Sequence, residues 1–339
     1  NNGNVTVGAS GSQVIRVGDN SSVTNNKNIG LNGSNGFIIY TSGSGNATNN
    51  GTLNIGAGSD NSHGIYMSET ANGTVINSST GIINVNGSNS NGMTLASNDT
   101  SASITNKGKI NVSGNGSKAI AASNGGTINN EGTITMNGGS AAIEATGAVV
   151  NNKAGATITT AANSDADGIK VIMGATPDAE AATVTNDGTI IINGNGDAIN
   201  AKGSSTAAGM MHSITNNSVI TINGSGSGIF ADAANINNTS SARINISGSG
   251  YGIRQTSGTI DNSGTITVTG NNGTGISSGG TATNNGTITA GGTNAKGMEL
   301  TTGGTGTNNS TIIASGTDAV GIYVNGGTAE NTGNISASG

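Results

Sequence analysis

In Gly132-Thr133-Ile134-Thr135-Met136 the aliphatic side chains fall on every second position and threonines fill the gaps. Period-two alternation built from β-branched residues marks a strand with one buried face. The phrase recurs, roughly as Asn-x-Gly-Thr-Ile, with its aliphatic anchor at Val5, Ile29, Leu53, Ile83, Ile110, Ile134, Ile158, Ile190, Ile220, Ile244, Ile266, Ile288, Ile312 and Ile335. The intervals are 24, 24, 30, 27, 24, 24, 32, 30, 24, 22, 22, 24 and 23 residues. A period of roughly 20 to 50 residues predicts stacked repeats, because a unit that small cannot bury its own apolar face.

Each repeat holds two further alternating segments. The second carries Gly-Ile, as in Gly64-Ile65, Gly168-Ile169, Gly228-Ile229 and Gly252-Ile253, with inward pairs such as Ile65 and Met67 or Met298 and Leu300. The third places one small or aliphatic residue two positions before an Asn, as Ile104, Ile128, Val184 and Ile214 do. Three or four residues past the anchor stands Gly (Gly33, Gly138, Gly224, Gly316), with Ala162 as the exception, and the expectation is a positive φ at a corner. Three strands and three corners per repeat predict an all-β fold. The form expected is a single-stranded right-handed parallel β-helix (a β-solenoid) of about 14 coils, most of about 22–24 residues. A left-handed helix of hexapeptides would repeat at about 18.

One Asn recurs at the same corner: Asn1, Asn25, Asn49, Asn77, Asn106, Asn130, Asn152, Asn186, Asn216, Asn238, Asn262, Asn284, Asn308 and Asn331. The expectation is a structural ladder, each amide donating to the Asn of the next coil as in cross-β stacks. A satisfied link contributes about 1 kcal/mol, whereas a buried amide left unmatched costs about 1–3 kcal/mol.

Composition sharpens this picture. Of 339 residues 60 are Gly, one is Pro and none is Cys or Trp; charged residues are 8%, against about 25% in ordinary soluble proteins. Disorder needs low hydrophobicity together with high charge, so the periodic aliphatics favour order. A net charge of −6 leaves no basic stripe for phosphates, and no nucleic-acid partner is expected. Missing Cys suits a protein threaded unfolded through an outer membrane. The repeat runs to both ends without a cap, which suggests one continuous domain over 1–339 excised from a longer exported protein.

Candidate chemistry is sparse. Asp167 and Asp197, each two residues before an inward Ile in consecutive coils, are weak candidates for a cation site with Asp165 nearby, or for an acid/base pair. The more economical reading is solvated carboxylates at a Gly-rich corner, with no metal, cofactor or catalytic residue and no enzyme. Outward Thr pairs such as Thr133/Thr135 and Thr265/Thr267 would suit an ice-binding face, but Lys109, Arg243, Ile191 and Ile313 interrupt the row. Two features point to contacts. The position after the inward Ile of the second strand varies most (Arg16, Tyr66, Glu144, Lys170, Phe230, Arg254), and all six aromatics lie in or beside that strand. The connection that follows is longest in two successive coils, at 172–183 and 202–213. Insertions at one corner of a solenoid often carry recognition. The predicted binding residues are therefore Lys170, Pro177, Asp178, Glu180, Lys202, Met210, Met211, His212 and Phe230.

The Asn-x-Gly-Thr-Ile coil, the Gly/Asn/Thr/Ser richness, the missing Cys and the low charge resemble passenger domains of type V autotransporter adhesins of Gram-negative bacteria; two-partner-secreted haemagglutinins look similar. The resemblance covers the whole chain as a repeat style. It implies display on the bacterial cell surface, outside the outer membrane, on a parent anchored by a C-terminal barrel. It also implies attachment to a protein or glycan of a host or bacterial surface by a monomeric rod. The alternatives are a stalk that projects a distal binding domain, or a polysaccharide-active enzyme on the same fold.

Overall fold

The computed structural model describes residues 1–123, 125–173, 181–203 and 210–338, and no α-helix occurs among them. The anchor segments form the first face. Fourteen strands, from Val5–Val7 to Asn334–Ala337, pair in chain order in one sheet. Every pairing is parallel and in register, so Ile110 lies under Ile134, and Ile134 under Ile158. Inward anchors such as Ile134 and Met136 are fully buried, while Thr133 and Thr135 between them remain half-exposed, as the alternation predicts.

The second and third segments of each coil build two further faces, as Lys118–Ala122 and Thr127–Asn130 do. In two coils a single strand runs through both, Ser227–Asn238 and Tyr251–Asn262, which joins the two faces into one 24-stranded sheet. The three faces enclose one continuous core of Ile, Val, Leu, Met and Ala. At ~4.8 Å per coil, fourteen coils make a parallel β-solenoid roughly 65 Å long.

The predicted Asn ladder is unbroken. Each Nδ2 donates to Oδ1 of the next coil's Asn, at 3.0 Å from Asn1 to Asn25 and 2.7–2.9 Å at the twelve junctions from Asn25 through Asn331. The twelve Asn from Asn25 to Asn308 are fully buried. Many use their second N–H on the carbonyl two residues on, as Asn25 does on Lys27 at 2.7 Å and Asn216 on Ser218 at 3.1 Å.

The corner glycines behave differently from the expectation. Gly33, Gly138, Gly224 and Gly316 do not have positive φ. A Cβ at Gly224 would lie 1.9 Å from the carbonyl oxygen of Gly194, and one at Gly33 2.3 Å from that of Ala9. These glycines are required by close approach to the coil below. After Gly33, Gly87, Gly114 and Gly316 the left-handed conformation is taken two residues later, by Asn35, Asn89, Gly116 and Asp318, since Asn and Asp tolerate that region better than other side chains.

Candidate functional site

The second strand departs from simple alternation, and the departure makes a site. In His63–Met67 both Gly64 and Ile65 face inward, and this inward pair recurs along the face. Pairing passes over the first of them: Asn91 pairs with Lys118 and Met93 with Ile120, leaving Gly92 and Ala119 between. Gly suits that position because a Cβ at Gly64 would meet the Gly92 carbonyl at 2.5 Å, and one at Gly252 the Gly275 carbonyl at 2.4 Å. In a regular strand residues i and i+3 point to opposite faces. Here the double-inward kink turns both outward, and they touch. Phe37 and Tyr40 have ring centres 5.5 Å apart, His63 and Tyr66 5.0 Å, and Arg254 lies 5.0 Å from the ring centre of Tyr251.

Stacking converts these pairs into two adjoining rows along the rod. One row contains Phe37, His63, Lys118, Asp167, Asp197 and Tyr251; the other contains Arg16, Tyr40, Tyr66, Glu144, Lys170 and Phe230. All six aromatic residues of the chain stand in these rows.

Near the N-terminal end the aromatics interlock. Phe37 stacks on His63 at 5.2 Å and meets Tyr66 edge-on at 4.9 Å, Tyr40 stacks on Tyr66 at 5.5 Å, and Arg16 lies 5.5 Å from the Tyr40 ring centre. A hollow of about 350 Å³ opens beside Tyr40, Tyr66 and Glu69. Burial, then the charge of Lys118, lowers the His63 pKa to about 4, so the ring is neutral; its Nδ1 lies 2.7 Å from the Thr94 hydroxyl. Burial also raises the Tyr66 phenol, with Tyr40 and Glu69 adding to it.

In the middle of the face Glu144 bridges Lys118 at 3.3 Å and Lys170 at 3.0 Å. The predicted contact residue Lys170 is therefore already engaged by an acid. Further along lies a second hollow of about 240 Å³, lined among others by Asp197, Asn200, Lys202, Phe230, Tyr251 and Arg254. Phe230 and Lys202, both predicted, meet there. The Arg254 guanidinium also lies 5.7 Å from the Phe230 ring centre.

The acids do not converge into a metal cage. Asp167 accepts the Asp197 backbone N–H at 2.8 Å and the Asn200 amide at 3.0 Å; Asp197 accepts the Ser227 N–H at 2.7 Å and the same Asn200 amide at 3.0 Å. Asp165 accepts the Asn195 amide at 3.1 Å. No group of three His, Asp or Glu side chains among the described residues could hold a metal ion. Burial, reinforced by the neighbouring Asp197, raises Asp167 to about 6 against the pull of its hydrogen bonds, and burial raises Asp197 as well.

Of the loop residues, Pro177, Asp178 and Glu180 lie outside the described residues, and Met210 and Met211 are half-buried. His212 is not a surface contact. It is fully buried, its Nδ1 accepting the Ala182 N–H at 3.1 Å and its Nε2 lying 3.3 Å from the Lys202 carbonyl. That arrangement fits a neutral ring protonated on Nε2, in line with the burial-lowered pKa. His212 ties the start of the third strand to the coil below and belongs to the scaffold.

Residues 1–210 match the BigA third pectate lyase-like domain, and the chain belongs to that family. No curated protein matches the chain. Among solved structures it is similar to a fragment of TibA hyper-glycosylated by TibC, 18% identical over 99% of this chain and 97% of that one. The TM-score of that match is 0.30, and it adds nothing to the functional argument.

Proposed function

We propose that this chain is a segment of a surface-displayed passenger of a Gram-negative autotransporter, an adhesin that attaches cells through the two outward rows of its second face. The observation that supports this reading is the placement of all six aromatics in the two outward rows, beside Arg16 and Arg254. Aromatics and Arg are the residues that recognition surfaces favour, and the outward positions of the first face are mostly Thr and Asn. The parent would be anchored by an outer-membrane barrel, with this segment on the extracellular side as a monomeric rod. The loops 172–183 and 202–213 remain a proposed extension of the surface. No catalysis is proposed, since Asp167 and Asp197 spend their oxygens on N–H groups of the scaffold.

The test is attachment of the purified chain to whole bacterial and epithelial cells. A variant carrying Tyr40→Ser, Tyr66→Ser, Phe230→Ser and Tyr251→Ser should bind at least tenfold less, a loss of about 1.4 kcal/mol. Lys109→Ala with Thr135→Ala on the first face should bind as the native chain does. Arg16→Glu provides a second reading should the aromatic variant melt early. Native chain that binds no cells, or binds equally after these changes, would favour a stalk.

A further inference from the structure

We infer that the hollow between Asn200 and Arg254 is a saccharide subsite that takes a neutral sugar ring; this rests on the adhesin reading and names its ligand class. The first observation is an orphaned acceptor. Asn200 is only 6% exposed, and its Nδ2 is held between the carboxylates of Asp167 and Asp197, 3.0 Å from each. That fixes which way the amide faces, because the reverse orientation would set its oxygen against two carboxylates. Its Oδ1 is buried and meets no hydrogen-bond donor. A buried acceptor without a donor costs about 1–3 kcal/mol, and here it belongs to a residue that lines the hollow.

The second observation is the chemistry of the other walls. Phe230 and Tyr251 supply ring surfaces, and Arg254 packs against both. Lys202 and Arg254 supply donors, while Asp197 supplies an acceptor. A sugar hydroxyl both donates and accepts, so a lining that mixes donors and acceptors suits it, and the C–H face of a pyranose suits an aromatic ring. The cations Lys202 and Arg254 are offset by the carboxylates of Asp197 and of Asp167, which shares the Asn200 amide, so the hollow carries no net positive charge to hold an acidic sugar. The volume of about 240 Å³ falls below the roughly 300–1,000 Å³ of drug-sized sites. One ring fits, with the remaining glycan running along the two rows.

Binding of the whole chain to an array of glycans ending in neutral hexoses, N-acetylhexosamines, sialic acid or uronic acid tests this, beside the cell-attachment assay. Neutral termini should be retained, and Phe230→Ser with Tyr251→Ser should weaken them at least tenfold. Arg254→Gln, which keeps the packing volume and removes the charge, should weaken them in a chain that melts as the native one does. Thr135→Ala, on the first face, should leave them unchanged. Attachment to cells without glycan binding would overturn the saccharide subsite and leave adhesion standing through a protein partner. Selection of acidic termini alone, or glycan binding indifferent to the Phe230, Tyr251 and Arg254 changes, would also overturn it. A chain that binds neither glycans nor cells would overturn both readings.

Discussion

Replacing Asn216 by Ala isolates what the ladder contributes. The side chain makes three hydrogen bonds at ordinary lengths: it accepts from Asn186 at 2.8 Å and donates to Asn238 at 2.8 Å and to the Ser218 carbonyl at 3.1 Å. Truncation removes all three and strands the Asn186 donor and the Asn238 acceptor, both fully buried. Two stranded polar groups at about 1–3 kcal/mol each give a loss of about 2–6 kcal/mol. Two controls bracket it. Asn32 is exposed and its side chain makes no hydrogen bond among the described residues, so Asn32→Ala should stay within about 0.5 kcal/mol. Asn331 accepts from Asn308 at 2.7 Å but is exposed, so water can replace the link and Asn331→Ala should lose less than about 1 kcal/mol. Urea unfolding followed by far-UV circular dichroism reads the differences. Because stacked repeats add nearest-neighbour terms, hydrogen exchange at the amides of Ser218 and Thr239 should report the same loss locally. If Asn216→Ala melted with Asn32→Ala, the ladder would be ornamental and the physical account of the corner wrong.

Other outcomes follow from the same geometry. Gly224→Ala must displace the Gly194 carbonyl, which its Cβ would meet at 1.9 Å, and should destabilise by about 1–3 kcal/mol; Gly8→Ala, in the first coil with nothing within 4 Å, should be near neutral in the same urea titration. His63, with a folded pKa of about 4 against 6.5 unfolded, contributes stability that is complete above pH 6.5 and lost as pH falls towards 4, on the order of 3 kcal/mol. Asp167 runs oppositely: raised from 3.8 to about 6, its contribution is complete below pH 3.8 and lost as pH rises through 6. The two slopes oppose each other between pH 4 and 6. His63→Gln should therefore make the chain gain stability on acidification across that window, and Asp167→Asn should shift the slope towards loss; a melting temperature with the same pH profile in both variants would refute the assignment.

The fold was legible because its determinants repeat. Ile134 alone says little, but an aliphatic anchor with an Asn four residues before it, renewed coil after coil, leaves one way to bury both. The site was legible only in part, and the reason lies in the kink. Alternation counted back from Ile65 or Ile253 puts His63 and Tyr251 on the inward side, whereas the structure turns them out beside Tyr66 and Arg254. Only the second outward row, which includes Phe230 and Lys170, could be read by alternation from the Ile. Gly at the kink was a visible signal, but its cause, a neighbouring carbonyl at about 2.5 Å, exists only once coils are stacked. His212 misled for the converse reason: a His beside a long connection looks like a contact residue until the backbone N–H of Ala182 is brought to its ring by the coil below.

This separation of roles explains how one rod can carry recognition without losing its fold. Core, ladder and corner glycines are bound to their neighbours in both directions, so a change in any of them is felt by adjacent coils. The two outward rows answer to no such constraint: the same register column holds Arg16, Tyr40, Thr94, Ala121 and Glu144 with the backbone pairing unaltered. What the rows share is spacing, about 4.8 Å between coils and about 5 Å across the kink between touching side chains. A ligand that is itself a chain can follow these rows, touching the rod at the aromatic clusters and passing over the Lys118–Glu144–Lys170 network between them. Binding spread over two clusters about seven coils apart, roughly 34 Å, would make attachment depend on ligand length. Oligosaccharides too short to span both should bind with the affinity of one cluster, and lengthening them past that span should raise affinity by tenfold or more through effective concentration. Affinity that does not change with length would confine recognition to a single cluster.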